Sequence, residues 1–478
     1  MGVQWVCRHL GWTALYCAVG LLVAGQPVAW GQEGTEAQNA SHSRNVQAET
    51  VMKITAPFTV AAVGDIIEPQ PLNSDDPRFQ QLIQRIRRAD VGFANMESTL
   101  VDFRTFRGPV AGIEAPVDMG EAIKAMGITI MNRANNHTFD GGVMGMVSTD
   151  EALDQLGIVH SGTGMDLQQA RAAHYVETPK GRVGLVGMYS EEGDTKADAT
   201  YRNGDIGGAP GLNALHLTAY HIVTPQQLQA LREIAAANYG NRPDSTGSSP
   251  DRFRFFDGWY ETGPDPGTIH YEMNPSDERG ILESVRNGKV YSYFLIVTIH
   301  AHEVVHYLAQ GRGGIDHAIP DFLIKLAHDS IDNGADMFVV HGVHALRGVE
   351  IYKDKPIFYD ISNFVFQFGL QFGDSYDIIA NEARMSADEN PASQESVLTT
   401  SHFESGKLME VRLYPVELGG AHRPLSQMGI PLTPDPEQAQ RILKEVQEYS
   451  QPLGTTVSIE DNVGVIRVST KAQDASKR

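Results

Sequence analysis

Residues of the types that bind metals or move protons stand where several apolar runs of this chain stop. Asp65 closes "FTVAAVGD", and Asn95 and Glu97 close "VGFANME". Asn135, Asn136, His137 and Asp140 lie in "RANNHTFDGG", directly after "ITIMN". His300 and His302 end "YFLIVTIHAHE", and His341 and His344 end "MFVVHGVH". Aspartate, glutamate, asparagine and histidine without cysteine form the ligand set of hard and borderline divalent cations. His300 and His302 are two apart, so on a strand they project from one face and can share an ion. Each cluster has a plainer use by itself, since Gly-Asp turns a chain and Asn-Asn-His can form an Asx turn. Four such clusters in one chain outweigh that reading. His160, His174, His216 and the other scattered histidines read as surface or satisfied core groups.

Positioning these groups requires strands that end together. The apolar runs at 58–65, 91–97, 128–137, 182–190, 293–303, 337–344 and 356–364 are short and rich in β-branched residues. Helical periodicity fills the gaps, in "DPRFQQLIQRIRRA", "DMGEAIKAMG", "GMVSTDEALDQLG" and "PDFLIKLAHDSIDNG". Alternation of this kind predicts an α/β protein, whose sites form beyond the carboxyl ends of the strands. Residues 200–290 break the rhythm and read as a structureless excursion or lid, and 366–407 as a second. A polar helix at 435–450 and a hairpin through "TTVSIEDNVGVIRV" close the chain.

The two ends differ from the rest. Residues 1–31 carry one arginine, a short apolar core and small residues before Gln32, the pattern of a cleaved signal peptide. Cys7 and Cys17, the two cysteines of the chain, both fall inside it, so the exported product has neither thiol nor disulfide. Residues 32–54 read as a disordered leader, 55–420 as the main domain, 421–470 as a C-terminal extension and 471–478 as a disordered tail. The net charge is −21, and loss of Arg8 with the signal makes it −22. Nucleic acid is excluded as a partner by that field. An anionic substrate needs a local positive centre, either metal ions or arginines, of which Arg133 and Arg347 are the candidates.

The ordered series "AAVGD", "ANMEST", "ANNHTFDGG", "IHAHE" and "HGVHALRGVEIYKDKPIFYDISNFVF" resembles the CapA family of capsule and poly-γ-glutamate biosynthesis, within the calcineurin-like metallophosphoesterase superfamily. The resemblance implies a four-layer α/β/β/α sandwich with one or two divalent ions, manganese, iron and zinc not being distinguished. It implies Asp65, Glu97, Asn136, His300, His302, His341 and His344 as the ligand pool. His137, with Asp140, takes the catalytic role, and Asn95 and Asn135 contact the substrate; Arg133 and Arg347, which flank two of the motifs, either neutralise an anionic substrate or form surface salt bridges. Two departures stand out: Ile67 occupies the place of a superfamily histidine, and Gly342 replaces one of the family's histidines, for which His302 is the candidate substitute. The implied activity is a metal-dependent hydrolase or transferase acting on a phosphoester or amide bond of an exported anionic polymer, beside a membrane polymer synthase. A non-catalytic accessory component of capsule export is the alternative, favoured by the same two departures.

Overall fold

Along each central strand, apolar side chains alternate between two environments, and that alternation sets up the site. The computed structural model describes residues 52–468 except 69–71, 73, 111, 193–196, 240–247, 307–315, 368–390, 421–422 and 425–426. The signal segment 1–31, nearly all of the leader, the tail 471–478 and residues 368–390 of the second excursion lie outside the described residues. The class is α/β, as the sequence predicts.

The first sheet is centred on β1 (Phe58–Ile67), β2 (Val91–Met96) and β3 (Ile130–Asn132), which run parallel. Phe58, Val60, Val91, Phe93 and Ile130 face a core shared with the other sheet. Val63, Met96 and Met131 face outward, onto Ile83 and Ile86 of α1 (Pro77–Arg88), Met119 and Ile123 of α2 (Asp118–Met126) and Leu153 of α3 (Gly142–Leu156). Asp76 caps α1 by accepting from the Arg78 amide, and Gly127 and Gly157 end α2 and α3 in the left-handed conformation.

The second sheet is built on β4 (Gly181–Glu192), β5 (Ala214–Val223), β6 (Phe294–Ala301) and β7 (Met337–Gly342), again parallel. Leu185, Phe294, Ile296, Met337 and Val339 face the first sheet. Val186, Val297 and Val340 pack outward on Ile281 and Val285 of α4 (Pro275–Val290) and on Leu323 and Leu326 of α5 (Asp321–Asp332). Burial on both faces is why these strands read as unbroken apolar runs. At the far side, strand 395–404 pairs antiparallel with β1, and 407–417 and 463–467 follow in turn, each antiparallel to the one before it. The final hairpin therefore continues the first sheet, and helix α6 (Pro436–Ser450) seals its edge through Ile442, Leu443 and Val446. No helix among the described residues is long and apolar enough to cross a membrane.

The stretch 200–290 is not the structureless excursion expected. It holds β5, α4, a helix at Pro225–Tyr239 and strands at Arg252–Phe255, Gly258–Thr262 and Ile269–Met273. Its Gly and Pro content marks turns between short strands, which composition alone does not separate from an open loop. Ala214 stands beside Tyr189, and Tyr189 beside His300, so the ten-residue β5 begins level with the end of β6 and overlaps β4 only as far as Leu217 beside Glu192. At about 3.3 Å per residue it continues the sheet for about 30 Å past that level.

Candidate metal centre

The inward parity of each strand carries the polar residues into the space between the sheets. Phe294, Ile296, Thr298 and His300 share one face of β6; Met337, Val339 and His341 share one face of β7; Val91, Phe93 and Asn95 do so on β2. Asp65 has the wrong parity for this. Ala62 pairs with Phe93 but Asp65 with Asn95, so β1 carries one extra residue, a bulge that turns Asp65 inward. Gly64 permits it, because a Cβ there would meet the Ser362 carbonyl oxygen at 1.6 Å.

Asp65, Glu97, His300 and His341 are fully buried. His300 Nδ1 lies 3.0 Å from His341 Nδ1 and 3.7 Å from Asp65 Oδ1, while its Nε2 lies 2.8 Å from His302 Nε2 and 3.5 Å from Glu97 Oε1. His344 places Nδ1 3.2 Å from Asp65 Oδ2 and Nε2 3.8 Å from Glu97 Oε1. Thr298 donates its one hydroxyl proton to the Val339 carbonyl, so its oxygen accepts from His341 Nε2 at 2.9 Å. That network leaves the His341 Nδ1 lone pair facing Asp65. His344 sits at φ 56°, a strained conformation for a non-glycine residue, and its Nδ1 is 2.8 Å from Asn363 Oδ1.

Electrostatics in this group follow from burial. Desolvation would raise the Asp65 carboxyl, but the imidazoles of His300 and His344 beside it outweigh this and hold it well below the usual range. Glu97 is pushed well above its usual value by burial and then by the adjacent Asp65 charge. Asp65 Oδ2 and both Glu97 oxygens are buried with no hydrogen-bond partner. His300 Nδ1 faces both His341 Nδ1 and Asn95 Nδ2, at 3.0 and 3.2 Å. Three sets, Asp65/His300/His341, Glu97/His300/His302 and Asp65/Glu97/His344, each bring their ligand atoms within 4.8 Å of one another. Orphaned carboxylate oxygens converging with imidazole lone pairs are what one or two divalent cations require, and these residues fit them.

The structure brings Asp65, Glu97, His300, His302, His341 and His344 together and corrects other expectations. Asn136 is exposed and joins none of these contacts. Its neighbour Asn135 is the buried amide, donating to Asn95 Oδ1 and the Met96 carbonyl and accepting from the His137 amide. This Asx turn directs Asn135 inward and leaves Asn136 outside. Asn95 and Asn135, expected at the substrate, are fully buried; Asn95 donates to Asp65 Oδ1 at 2.8 Å and accepts from Asn132 Nδ2 at 2.9 Å. Arg133 and Arg347, also expected at the substrate, are turned inward as well. Arg133 is enclosed and holds Asp150 and the Met96 carbonyl, while Arg347 holds the carbonyls of Asp316 and Glu303. Asn132 and Thr298 were missed, although both lie on the inward parity of their strands.

His137 lies at the rim, partly exposed, with Nδ1 2.8 Å from Asp140 Oδ2. Asp140 also accepts from the Ile113 amide at 2.9 Å, and Thr99 donates to the His137 carbonyl. An imidazole fixed at Nδ1 by a carboxylate presents Nε2 for proton transfer. His302 is exposed at the mouth, and its ring fills space that a side chain at Gly342 would need. A Cβ at Gly342 would meet the Ala301 backbone at 2.8 Å and His302 Cδ2 at 3.0 Å, and its φ is 123°. A second cluster, Glu191, Asp198 and His216, already carries its own cation. Hydrogen bonds to Asp198 and Asp277 raise His216 to about 10.

An α/β protein with a buried histidine–carboxylate centre at the carboxyl ends of its strands is thereby defined. The model of the family described as bacterial capsule synthesis protein PGA_cap matches residues 59–368, and the chain belongs to this family. An uncharacterized protein of Sinorhizobium fredii, y4sH, is 38% identical over 89% of this chain and 96% of its own length. The capsule biosynthesis protein CapA of Bacillus anthracis is 22% identical over 65% of this chain, which spans 60% of that relative. A probable polyglutamine synthesis accessory protein of Mycobacterium tuberculosis is 24% identical over 69% of this chain and 66% of its own length. A solved structure of a novel phosphatase from Mycoplasma pneumoniae aligns over 77% of this chain and 95% of its own at 9% identity. Its TM-score of 0.34 is too low to carry an argument.

Proposed function

We propose that this chain is an exported, divalent-metal-dependent hydrolase or transferase that acts on a phosphoester or amide bond of an anionic capsule polymer. The observation that carries the reading is the convergence of orphaned Asp65 and Glu97 oxygens with the nitrogens of His300, His341 and His344. These residues, with His302, would hold a divalent ion, whose chemistry would be to polarise a substrate oxygen and acidify a water. Every other role falls to the chain itself. Asp140 keeps one proton of His137 on Nδ1 and orients the ring; in the doubly protonated form the imidazolium passes its Nε2 proton to the leaving group and is left as neutral imidazole. The Ile113 amide keeps Asp140 in place, and Asn363 orients His344. Burial of the set between the sheets keeps water from the carboxylates and strengthens each interaction.

The non-catalytic reading is supported by the accessory-protein name of the mycobacterial relative and by Gly342. Elemental analysis of the purified protein and of His300→Ala/His344→Ala separates the two. Near-stoichiometric manganese, iron or zinc that is lost in the double variant is expected. His137→Ala should then keep the metal and lose about a hundredfold or more of its phosphodiesterase turnover. A wild type that stays metal-free after incubation with each ion leaves the accessory reading.

A further inference from the structure

With Arg133 and Arg347 enclosed, any arginine that meets an anionic substrate beside the metal centre must come from the rim. The connection from the strand Thr99–Val101 to the strand Glu114–Pro116 lies against the start of α3, beside the His137–Asp140 pair. The Phe106 ring packs on Gly141 and Gly145, where a Cβ at Gly141 would sit 3.2 Å from Phe106 Cζ. Ile113, at the far end, donates to Asp140 itself. The connection is thus fastened to the carboxylate that orients the catalytic imidazole.

Arg107 is exposed, and its recorded hydrogen bond goes to the Phe106 carbonyl; no carboxylate among the described residues pairs with it. Arg104 is different, being held by both oxygens of Asp102 at 2.8 and 2.9 Å. Phe103 and Val110, on either side, are 41% and 57% exposed. We propose that Phe103, Arg107 and Val110 form a lip that binds the anionic polymer next to His137, with Arg107 pairing with a carboxylate of the chain. A γ-linked glutamate chain alternates carboxylates with methylene runs, which matches one free guanidinium between two apolar side chains. This rests on the polymer-acting reading above and names the contact which that reading lacks.

Titration calorimetry of the purified protein with a γ-linked glutamate decamer tests it, with metal content measured on every sample. Arg107→Ala should weaken binding about tenfold or more, Arg107→Lys should recover part of it, and Arg104→Ala should stay within about twofold. Metal content and inorganic phosphate binding should not change in any of the three. Equal binding by Arg107→Ala and wild type overturns the proposal, as does an equal loss in Arg104→Ala. Wild type that holds metal but ignores the decamer overturns the lip and leaves the metal reading standing. Decamer binding that depends on Arg107 in a metal-free protein does the reverse.

Discussion

Replacing Glu97 by glutamine should stabilise the metal-free protein and abolish its response to metal. Asp65 and Glu97 place carboxylate oxygens within 4.8 Å of each other in a fully buried space. At an effective dielectric constant of about 20, two like charges at that distance repel by about 3.5 kcal/mol. His344 lies between them and offsets part of this when protonated. A glutamine amide can donate to Asp65, so the variant leaves no new orphaned group there. The expected net gain for metal-free Glu97→Gln at pH 8 is therefore about 1–2 kcal/mol. With metal at a hundredfold its Kd the wild type gains about 2.7 kcal/mol, and the variant, one anionic ligand short, gains almost nothing. Urea unfolding followed by tryptophan fluorescence, in chelator and in excess manganese or zinc, reads both differences. The order of stability should invert between the two buffers. A metal-free variant less stable than wild type, or one with an undiminished metal response, would show that the orphaned oxygens are not a cation site.

Two further outcomes rest on groups outside that centre. Arg133→Met should cost about 3–5 kcal/mol of stability, because Asp150 loses its enclosed partner, while phosphate binding stays unchanged; weaker phosphate binding at unchanged stability would return Arg133 to the substrate. His216 is held protonated between Asp198 and Asp277, with Glu191 and Arg171 adjacent. Its raised value means stability that is complete below about pH 6.5 and lost as pH climbs to about 10. Wild type should therefore lose more stability than His216→Gln across that window, by at most about 4 kcal/mol, and parallel curves would refute the pairing.

Much of this architecture was legible because burial writes a period into the sequence. Thr298 and His300 continue the spacing of Phe294 and Ile296, so their inward direction follows from position alone. Asp65 could be named from its type and place, but its direction depends on a bulge whose one local sign is Gly64. Asn135 and Asn136 are adjacent and chemically identical, and an Asx turn decides which of them is enclosed. Arg133 and Arg347 flank the motifs, yet flanking says nothing about which side of a strand end meets solvent. The strands at 252–273 were hidden because their apolar content is divided among short pieces joined by Gly and Pro turns.

The contact between Gly342 and His302 couples two positions that lie on different strand ends. A side chain at 342 collides with the Ala301 backbone and the His302 ring, and a smaller residue at 302 gives up an imidazole at the mouth of the site. Each single exchange is thus penalised, and the histidine can pass from one strand end to the other only if both positions change. In evolutionary terms, 302 and 342 are epistatic, and among family members an imidazole at 302 should covary with glycine at 342.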